Sequence, residues 1–121
     1  MTRRPARHAQ AERSGRRGEI WAALYLQLQG WRIVGRRVRT PRGEIDLIAR
    51  RGHIVNFIEV KYRRTARQRD EAIDFYRLKR VAAAVEAIAH LYCRNGETVR
   101  IDVVMLARWR WPRHITNAWQ P

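Results

Sequence analysis

The chain has 121 residues, of which 45% are hydrophobic, and carries a formal net charge of +15 at neutral pH. This length supports one folded domain with one core, and so large a positive excess favours a polyanionic partner, with nucleic acid the first candidate. A lone cysteine excludes an internal disulfide, and no stretch approaches the roughly 20 apolar residues of a membrane span, so we expect a cytoplasmic protein outside the membrane.

The first segment, residues 1 to about 15, is rich in arginine and has almost nothing to bury. Because its like charges repel, we expect a disordered basic arm. Its arginines are followed by no apolar stretch, which predicts that it is not a secretory signal. Residues 16–121 are expected to form the single domain.

The next segment, from about Arg16 to Gln29, has the apolar spacing of a helix, and Gly30 is placed to end it. Glu19 is expected near the edge of its buried face, close to the helix start. The residues predicted to be buried are Ile20, Ala23, Leu24 and Leu28.

Three strands joined by short turns are predicted next. The first covers residues 31–39, with Gly35 as a signal for a bulge, and residues 40–43 have turn chemistry. The second, residues 44–50, should place Ile45, Leu47 and Ala49 on one face and Glu44, Asp46 and Ile48 on the other. The third covers residues 54–62. Together they predict an antiparallel meander.

The remaining elements are a long helix over about residues 71–94, a strand over 98–107 and a short extended piece over 114–119. The helix should bury Ile73, Leu78, Val81, Val85, Ile88 and Leu91. The order helix, strand, strand, strand, helix, strand predicts an α/β fold with a mixed sheet and helices packed on it.

Two acids and a lysine lie in strands otherwise suited to burial: Asp46 in the second, Glu59 and Lys61 in the third. A buried carboxylate is costly unless a cation or hydrogen bonds compensate it. One interpretation is an ordinary salt bridge on a half-exposed sheet. The other is a catalytic site, favoured because only two of the 26 basic residues are lysines and arginine cannot act as a base.

Two carboxylates and the Val60 carbonyl would offer hard oxygen ligands to Mg²⁺ or Mn²⁺. Phosphodiester hydrolysis needs a metal that lowers the pKa of a bound water and positive charge near the phosphorus oxygens. Lys61 could supply that charge, or it could orient or deprotonate the attacking water.

The motifs Gly-Glu-Ile-Asp-Leu-Ile (43–48), Ile-Glu-Val-Lys-Tyr-Arg (58–63), Arg-Gly-Glu (17–19) and Arg-Ile-Asp-Val-Val (100–104) occur in this order. In this respect the chain resembles the YraN-like family of small bacterial proteins. That family is assigned as endonucleases and is similar to archaeal Holliday-junction resolvases. The resemblance covers about residues 16–119, nearly everything after the basic arm.

The resemblance implies a restriction-endonuclease-like core of the PD-(D/E)XK type. In it Asp46 is the first acid, Glu59 and Lys61 are the second acid and the lysine, and Glu19 is a further metal ligand. Lys79 matches a basic position on the second helix. The chain departs from the family in having Arg36-Arg37 in place of Arg-Asn and in lacking Phe-Gly within residues 64–70. Both departures put the grip on DNA in doubt rather than the metal site.

Other residues have two interpretations each. Glu44 could support the metal site or be a solvated carboxylate, and Asp102 is better explained as a structural salt bridge. Several tryptophans near the C-terminus, Trp109, Trp111 and Trp119, could stack on bases, but closing the core is the favoured use. A phosphate track is expected from arginines that flank the site in sequence, namely Arg16, Arg17, Arg39, Arg42, Arg63 and Arg64.

The predicted function is a Mg²⁺- or Mn²⁺-dependent endonuclease acting on DNA, including branched or flap structures. The main rival is a non-catalytic nucleic-acid-binding protein on the same fold. A third hypothesis is an assembly factor that binds proteins through the long helix. A homodimer is expected by analogy with resolvases, because a junction has two strands to cut.

Overall fold

A computed structural model of the chain describes residues 18–65 and 75–119. The predicted basic arm and its boundary lie outside the described residues. Helix α1 spans residues 18–28 of the described part. The other elements are β1 (Arg32–Thr40), β2 (Gly43–Arg51), β3 (Ile54–Arg63), α2 (Phe75–Tyr92), β4 (Thr98–Ala107) and β5 (Arg113–Ile115).

The described strands form one open sheet in the order β1-β2-β3-β4-β5. β1, β2 and β3 pair antiparallel, β3 and β4 pair parallel, and β5 returns antiparallel to β4. A parallel pair needs a crossover connection, and α2 lies between β3 and β4 in the chain. The predicted meander, mixed sheet and order of elements are therefore confirmed. Neither described helix is long and apolar enough to cross a membrane.

The two helices pack on opposite faces of the sheet. On the α1 face, Leu47 and Ile58 lie in a buried cluster with α1 residues. On the α2 face, their strand neighbours Ile48 and Phe57 lie in a second cluster with α2 residues. Alternate side chains of a strand point to opposite faces, so β2 and β3 contribute to both clusters. Burial on both sides explains the nearly continuous apolar runs in β3 and β4.

The predicted buried face of α1 is wrong. Ala23 is buried as predicted, but the other residues turned to the sheet are Gly18, Ala22 and Leu26, while the predicted Ile20, Leu24 and Leu28 are exposed. α1 carries apolar residues on both sides, so periodicity could not choose between them. The small residues decide the packing, because a Cβ added at Gly18 would lie 3.2 Å from the Cβ of Tyr62.

The predicted shared face of Ile45, Leu47 and Ala49 is also wrong in part. Ile45 packs in the cluster under α2, whereas Leu47 and Ala49 pack with α1. The partner strand β1 explains the difference. Arg37, which lies between the partners of Leu47 and Ile45, adopts a left-handed backbone conformation (φ 49°), and the predicted bulge lies further along, between Ile33 and Gly35. Such irregularities increase local twist and interrupt the alternation of side chains.

Three further predictions are corrected at the ends of the molecule. Val81, Val85 and Ile88 of α2 are buried as predicted, but Leu78 is only half-buried and Leu91 is exposed. Ile73 lies outside the described residues. Trp119 packs against the α2 cluster and helps to close the core. Trp109 and Trp111 are exposed and do not. The loop after β4 turns outward at Trp109, which has a positive φ of 61°.

Asp102 is a fully buried acid in the middle of β4. Arg100 donates to both of its oxygens at 2.9 Å, and Nε2 of His114 lies 2.6 Å from Oδ2. Asn56 and the backbone amide of Asn117 complete the shell at 2.7 and 2.8 Å. The predicted structural salt bridge is therefore confirmed, and it fastens β3, β4 and the segment that contains β5 to one carboxylate.

The pKa of Asp102 reflects this shell. Burial by itself would raise the pKa, but hydrogen bonds from His114, Arg100, the Asn117 amide and Asn56 lower it to about 2. Because the folded state binds the proton more weakly than the unfolded chain, ionised Asp102 stabilises the fold. That contribution is full above the ordinary aspartate pKa near 4 and is lost as the pH falls through about 2.

We expect Asp102→Asn to lower the free energy of unfolding by about 3 kcal/mol at pH 7, since it leaves the half-buried Arg100 without its counter-charge. Urea denaturation measures the change. The deficit should shrink between pH 4 and pH 2, where wild-type Asp102 becomes protonated. The matched control is Glu86→Gln, which removes an exposed carboxylate 3.6 Å from Arg42 and should change stability by less than about 1 kcal/mol. A similar loss in both variants would contradict the structural role of Asp102.

Candidate functional site

Asp46 and Glu59 meet where β2 and β3 pair. The antiparallel register runs to the pair Leu47 and Ile58, and Asp46 and Glu59 are the next residues along each strand. The backbone N–H of Val60 donates to Oδ2 of Asp46 at 2.8 Å, which fixes the carboxylate against β3. The charge of Glu59 also lies close enough to raise the pKa of Asp46. The hairpin therefore brings together the two acids that the sequence singled out.

Glu59 and Lys61 alternate with Val60, so both side chains lie on the same face of β3. Both are buried, with 5% of each residue exposed, and Nζ of Lys61 lies 3.1 Å from Oε1 of Glu59. Arg77 of α2 donates from Nε to the same oxygen at 2.9 Å. A salt bridge and the predicted constellation thus coexist, since Glu59 pairs with two cations while it contacts Asp46.

The pKa of Asp46 is raised from its ordinary value to about 7. Burial is the main cause, the charge of Glu59 is the second, and the Val60 amide opposes both. The pKa of the Lys61 ammonium is lowered, mainly by burial and further by the charges of Arg77 and Arg63, while Glu59 opposes the shift. An acid and a lysine whose pKa values move towards neutrality are typical of groups that exchange protons in a reaction.

Glu19, the acid on α1, reaches the edge of this site but has its own partner. Gly18 allows the start of α1 to lie close to Tyr62 of β3, and the charge of Glu19 contributes to the raised pKa of Asp46. Its Oε2 accepts a hydrogen bond of 2.6 Å from Nε of Arg37. This ion pair raises the pKa of the Arg37 guanidinium. Sequence reasoning named Arg37 only as a departure from the family and missed its role.

A cleft of about 320 Å³ opens over Asp46 and Glu59. Its lining combines acidic residues of the sheet with arginines of the β1–β2 turn and of α2. The residues that line it are Arg42, Gly43, Glu44, Asp46, Glu59, Arg77, Arg80 and Val81. Arg77 and Arg80 were not predicted. Their position at the start of α2 depends on how that helix crosses the sheet, which residue spacing does not reveal.

Of the described arginines that were predicted to form a phosphate track, one lines the cleft and the others do not. Arg42 lines the cleft, whereas exposed Arg39 lies 3.7 Å from Glu44 and Arg63 donates to the Tyr62 carbonyl. Arg64 is exposed, and Arg16 and Arg17 lie outside the described residues. Glu44 lines the cleft beside Asp46. Lys79 is exposed and, within residues 75–119, is not among those that line the cleft.

The donor atoms at this site fit a hard divalent cation. Asp46 and Glu59 offer carboxylate oxygens in a buried place where two like charges adjoin, a setting that a cation relieves. Within residues 18–65 and 75–119, no three Asp, Glu, His or Cys side chains converge as a metal-binding group. Glu19 is held by Arg37, and the structure records the amide of Val60 in the site rather than its carbonyl. The four-ligand set of Glu19, Asp46, Glu59 and Val60 stays a prediction.

Comparison with known proteins gives a consistent result. The model described as "Uncharacterised protein family UPF0102" matches residues 18–106, which include α1 and the whole Asp46–Glu59–Lys61 group. A UPF0102 protein of Erythrobacter litoralis is 63% identical over 92% of this chain and 96% of its own length. One from Sphingopyxis alaskensis is 57% identical over 93% and 97%. One from Mesorhizobium japonicum is 46% identical over 98% and 96%.

The raised pKa of Asp46 predicts a pH-dependent stability. Without divalent metal, the folded state binds the proton of Asp46 more tightly than the unfolded chain does, so its contribution is lost as the pH rises through about 7. Between pH 5 and pH 8 this loss should amount to roughly 2–3 kcal/mol. Asp46→Asn, which cannot ionise, should remove that part of the dependence. Urea denaturation in a chelator at several pH values measures it.

The control for Asp46→Asn is Glu44→Gln, which removes a carboxylate from an exposed position of the same strand. It should leave the fall in stability between pH 5 and pH 8 intact. If Asp46→Asn and the wild type lose stability in parallel over this range, Asp46 is ionised without penalty and the site is less buried than its geometry indicates.

Proposed function

The chain belongs to the uncharacterised protein family UPF0102, whose name carries no activity, and we propose that it is a divalent-metal-dependent nuclease acting on DNA. The observation that carries the proposal is that Asp46 and Glu59 line an arginine-bearing cleft, with the buried Lys61 3.1 Å from Glu59. A half-buried acid, a buried acid, a buried lysine and nearby guanidinium groups match the needs of phosphodiester hydrolysis. A structural salt bridge needs one acid and one base, and a second buried acid only adds cost.

The substrate backbone would bind along the arginine side of the cleft. Arg42, Arg77 and Arg80 come from two separate elements, and their guanidinium groups suit the paired oxygens of a phosphate. Such contacts position a nucleic acid without selecting its sequence. The formal net charge of +15 favours the same class of partner over a neutral small molecule. DNA, including branched and flap structures, is the proposed substrate.

Asp46 and Glu59 would hold Mg²⁺ or Mn²⁺, with Glu19 and the Val60 carbonyl as further ligands. When bound, such an ion lowers the pKa of a coordinated water and neutralises charge that develops on the phosphate. The Val60 amide keeps Asp46 oriented in the meantime. Glu59 reaches the same point from β3, because the hairpin places it directly beside Asp46.

Lys61 would act on the attacking water or on the phosphate. Its lowered pKa makes the loss of a proton less costly than for an exposed lysine, which suits a base. In its protonated form it would stabilise charge on the phosphorus oxygens. Its 3.1 Å contact with Glu59 fixes the ammonium beside the cleft in either role.

The resemblance to the YraN-like family extends this proposal to the fold. A meander of β1 to β3 followed by a crossover helix and parallel β4 is compatible with a restriction-endonuclease-like core of the PD-(D/E)XK type. In that core Asp46, Glu59 and Lys61 would take the roles that the resemblance implies. A cytoplasmic location, where DNA and reduced thiols are both present, completes the proposal.

The decisive experiment is a cleavage panel of single-stranded, duplex, flap and four-way DNA, with Mn²⁺, with Mg²⁺ and with chelator. We expect cleavage only with metal, and a loss of about 100-fold or more in Asp46→Asn and Lys61→Ala. Both variants should still bind DNA, because the arginines remain. The control is Arg94→Gln, beyond the far end of α2, which removes one charge and should cleave like the wild type.

Unchanged DNA binding with no cleavage under any condition would favour the rival hypothesis, a non-catalytic nucleic-acid-binding protein. The pairing of Glu59 with Arg77 and of Glu19 with Arg37 is the observation that favours this rival. Each guanidinium already neutralises an acid that the nuclease would need for metal.

Arg77 provides a second test, because it and a bound cation would compete for Glu59. We expect Arg77→Gln to raise the affinity for Mn²⁺ in the absence of DNA about 3- to 10-fold, since Glu59 is then released from one of its two cations. Affinity for DNA should fall in the same variant. Calorimetric titration with Mn²⁺ measures the first effect, and Arg94→Gln is again the control. Weaker Mn²⁺ binding in Arg77→Gln would contradict this arrangement.

A further inference from the structure

α1 is apolar on both sides, yet the sheet covers only one of them. Its inner side packs Ala22, Ala23 and Leu26 into the core. Its outer side presents four large side chains, Ile20, Trp21, Leu24 and Leu28, here called the α1 stripe. Trp21 is 65% exposed and Leu28 is 84% exposed. A helix that is apolar all round is normally buried all round, so this stripe is suited to a partner.

The α1 stripe has the spacing of a helix-pairing seam. Trp21, Leu24 and Leu28 follow one another by three and four residues, and Ile20 borders them. This is the interval that keeps apolar side chains aligned along one line of a helix for packing against another helix. The seam continues onto the C-terminal segment, because the ring of Trp111 contacts that of Tyr25 at a centroid distance of 6.1 Å. Trp111 is 77% exposed.

The absence of charged residues from the α1 stripe indicates which kind of partner would bind it. Residues 20–29 contain no charged side chain, in a protein with 26 basic and 11 acidic residues. A nucleic acid would find no cation there, and an acidic protein partner would find nothing to complement. A second copy of the same stripe is uncharged and equally apolar. Two copies can therefore meet there with no like charges in direct contact, which keeps the repulsion between the two basic chains lower than at their charged faces.

We propose that two copies of this chain form a symmetric dimer by packing their α1 stripes antiparallel against each other. In such a pairing the same patch serves both subunits, and Leu24, midway between Ile20 and Leu28, lies near the two-fold axis. The α1 stripe with Trp111 would contribute on the order of 600 Å² per subunit, or about 1,200 Å² in total. This is the lower end of stable interfaces, so a dimer with a dissociation constant in the micromolar range is expected.

The dimer leaves the cleft open. The α1 stripe points away from the sheet on the α1 face, whereas the cleft is lined by α2 residues on the opposite face. The proposal rests on the exposed helix surface and is independent of the proposed nuclease activity. A catalytically inactive protein would dimerise in the same way.

Sedimentation velocity of the full chain over a range of concentrations up to about 100 µM tests the dimer. The wild type should sediment as a reversible dimer, and Leu24→Glu and Leu28→Glu should remain monomeric at every concentration. The matched control is Leu91→Glu, on α2, which changes a leucine of similar exposure and should dimerise like the wild type. Circular dichroism confirms that each variant is folded, as expected for substitutions at exposed positions.

Cross-linking then tests the geometry. In a Cys93→Ser background, Leu24→Cys should oxidise to a disulfide-linked dimer, because each copy of residue 24 faces its counterpart, and Leu91→Cys should not. A wild type that is monomeric at the highest concentration overturns the proposal. So does a dimer that survives both glutamate substitutions, since it must use another surface. A wild type that dimerises as expected but cleaves none of the DNA substrates would contradict the proposed nuclease activity and not the dimer.

Discussion

The pairing of β2 with β3 is the constraint on which the rest of the molecule depends, because it places two carboxylates side by side in a buried setting. Asp46 and Glu59 each lie one residue beyond the paired residues Leu47 and Ile58, at the same end of the antiparallel pairing. Burial and like charge both oppose their ionisation, and the fold compensates with the Val60 amide, Lys61 and Arg77. The sheet core, buried on both faces, supplies the rigidity that holds these groups together.

Asp102 is a second acid of the sheet, and its charge is compensated by several neighbouring groups. Asp102 is surrounded by Arg100, His114, Asn56 and an amide, and its pKa falls to about 2. Asp46 has one amide and a neighbouring acid, and its pKa rises to about 7. The charged form of an aspartate is thus stabilised by its surroundings at Asp102 and destabilised at Asp46, although both lie in strands of the same sheet. Ionisable groups in a cleft whose charged form is destabilised are typical of functional sites, and groups whose charge is well compensated are typical of structural sites.

The meander and the meeting of Asp46 with Glu59 and Lys61 were predictable, since short turns join neighbouring strands and two-residue spacing puts Glu59 and Lys61 on one face. The buried side of α1 was not, because both of its sides are apolar and the choice depends on how closely Gly18 and Ala22 let the helix approach the sheet. Arg37 and Arg77 escaped prediction for a related reason. The chain is rich in arginine, and residue spacing alone does not show that Arg37 contacts Glu19 or that Arg77 contacts Glu59.

α1 links the two proposals physically. Gly18 brings its start against Tyr62, and Glu19, the next residue, reaches towards Asp46 from there. The α1 stripe begins one residue later, at Ile20. A partner that packs on the stripe would therefore contact the same helix that carries Glu19, whose Oε2 accepts a hydrogen bond from Arg37. The proposed dimer surface and the proposed metal ligand Glu19 thus share one short helix, whose approach to the sheet depends on the small residues Gly18 and Ala22.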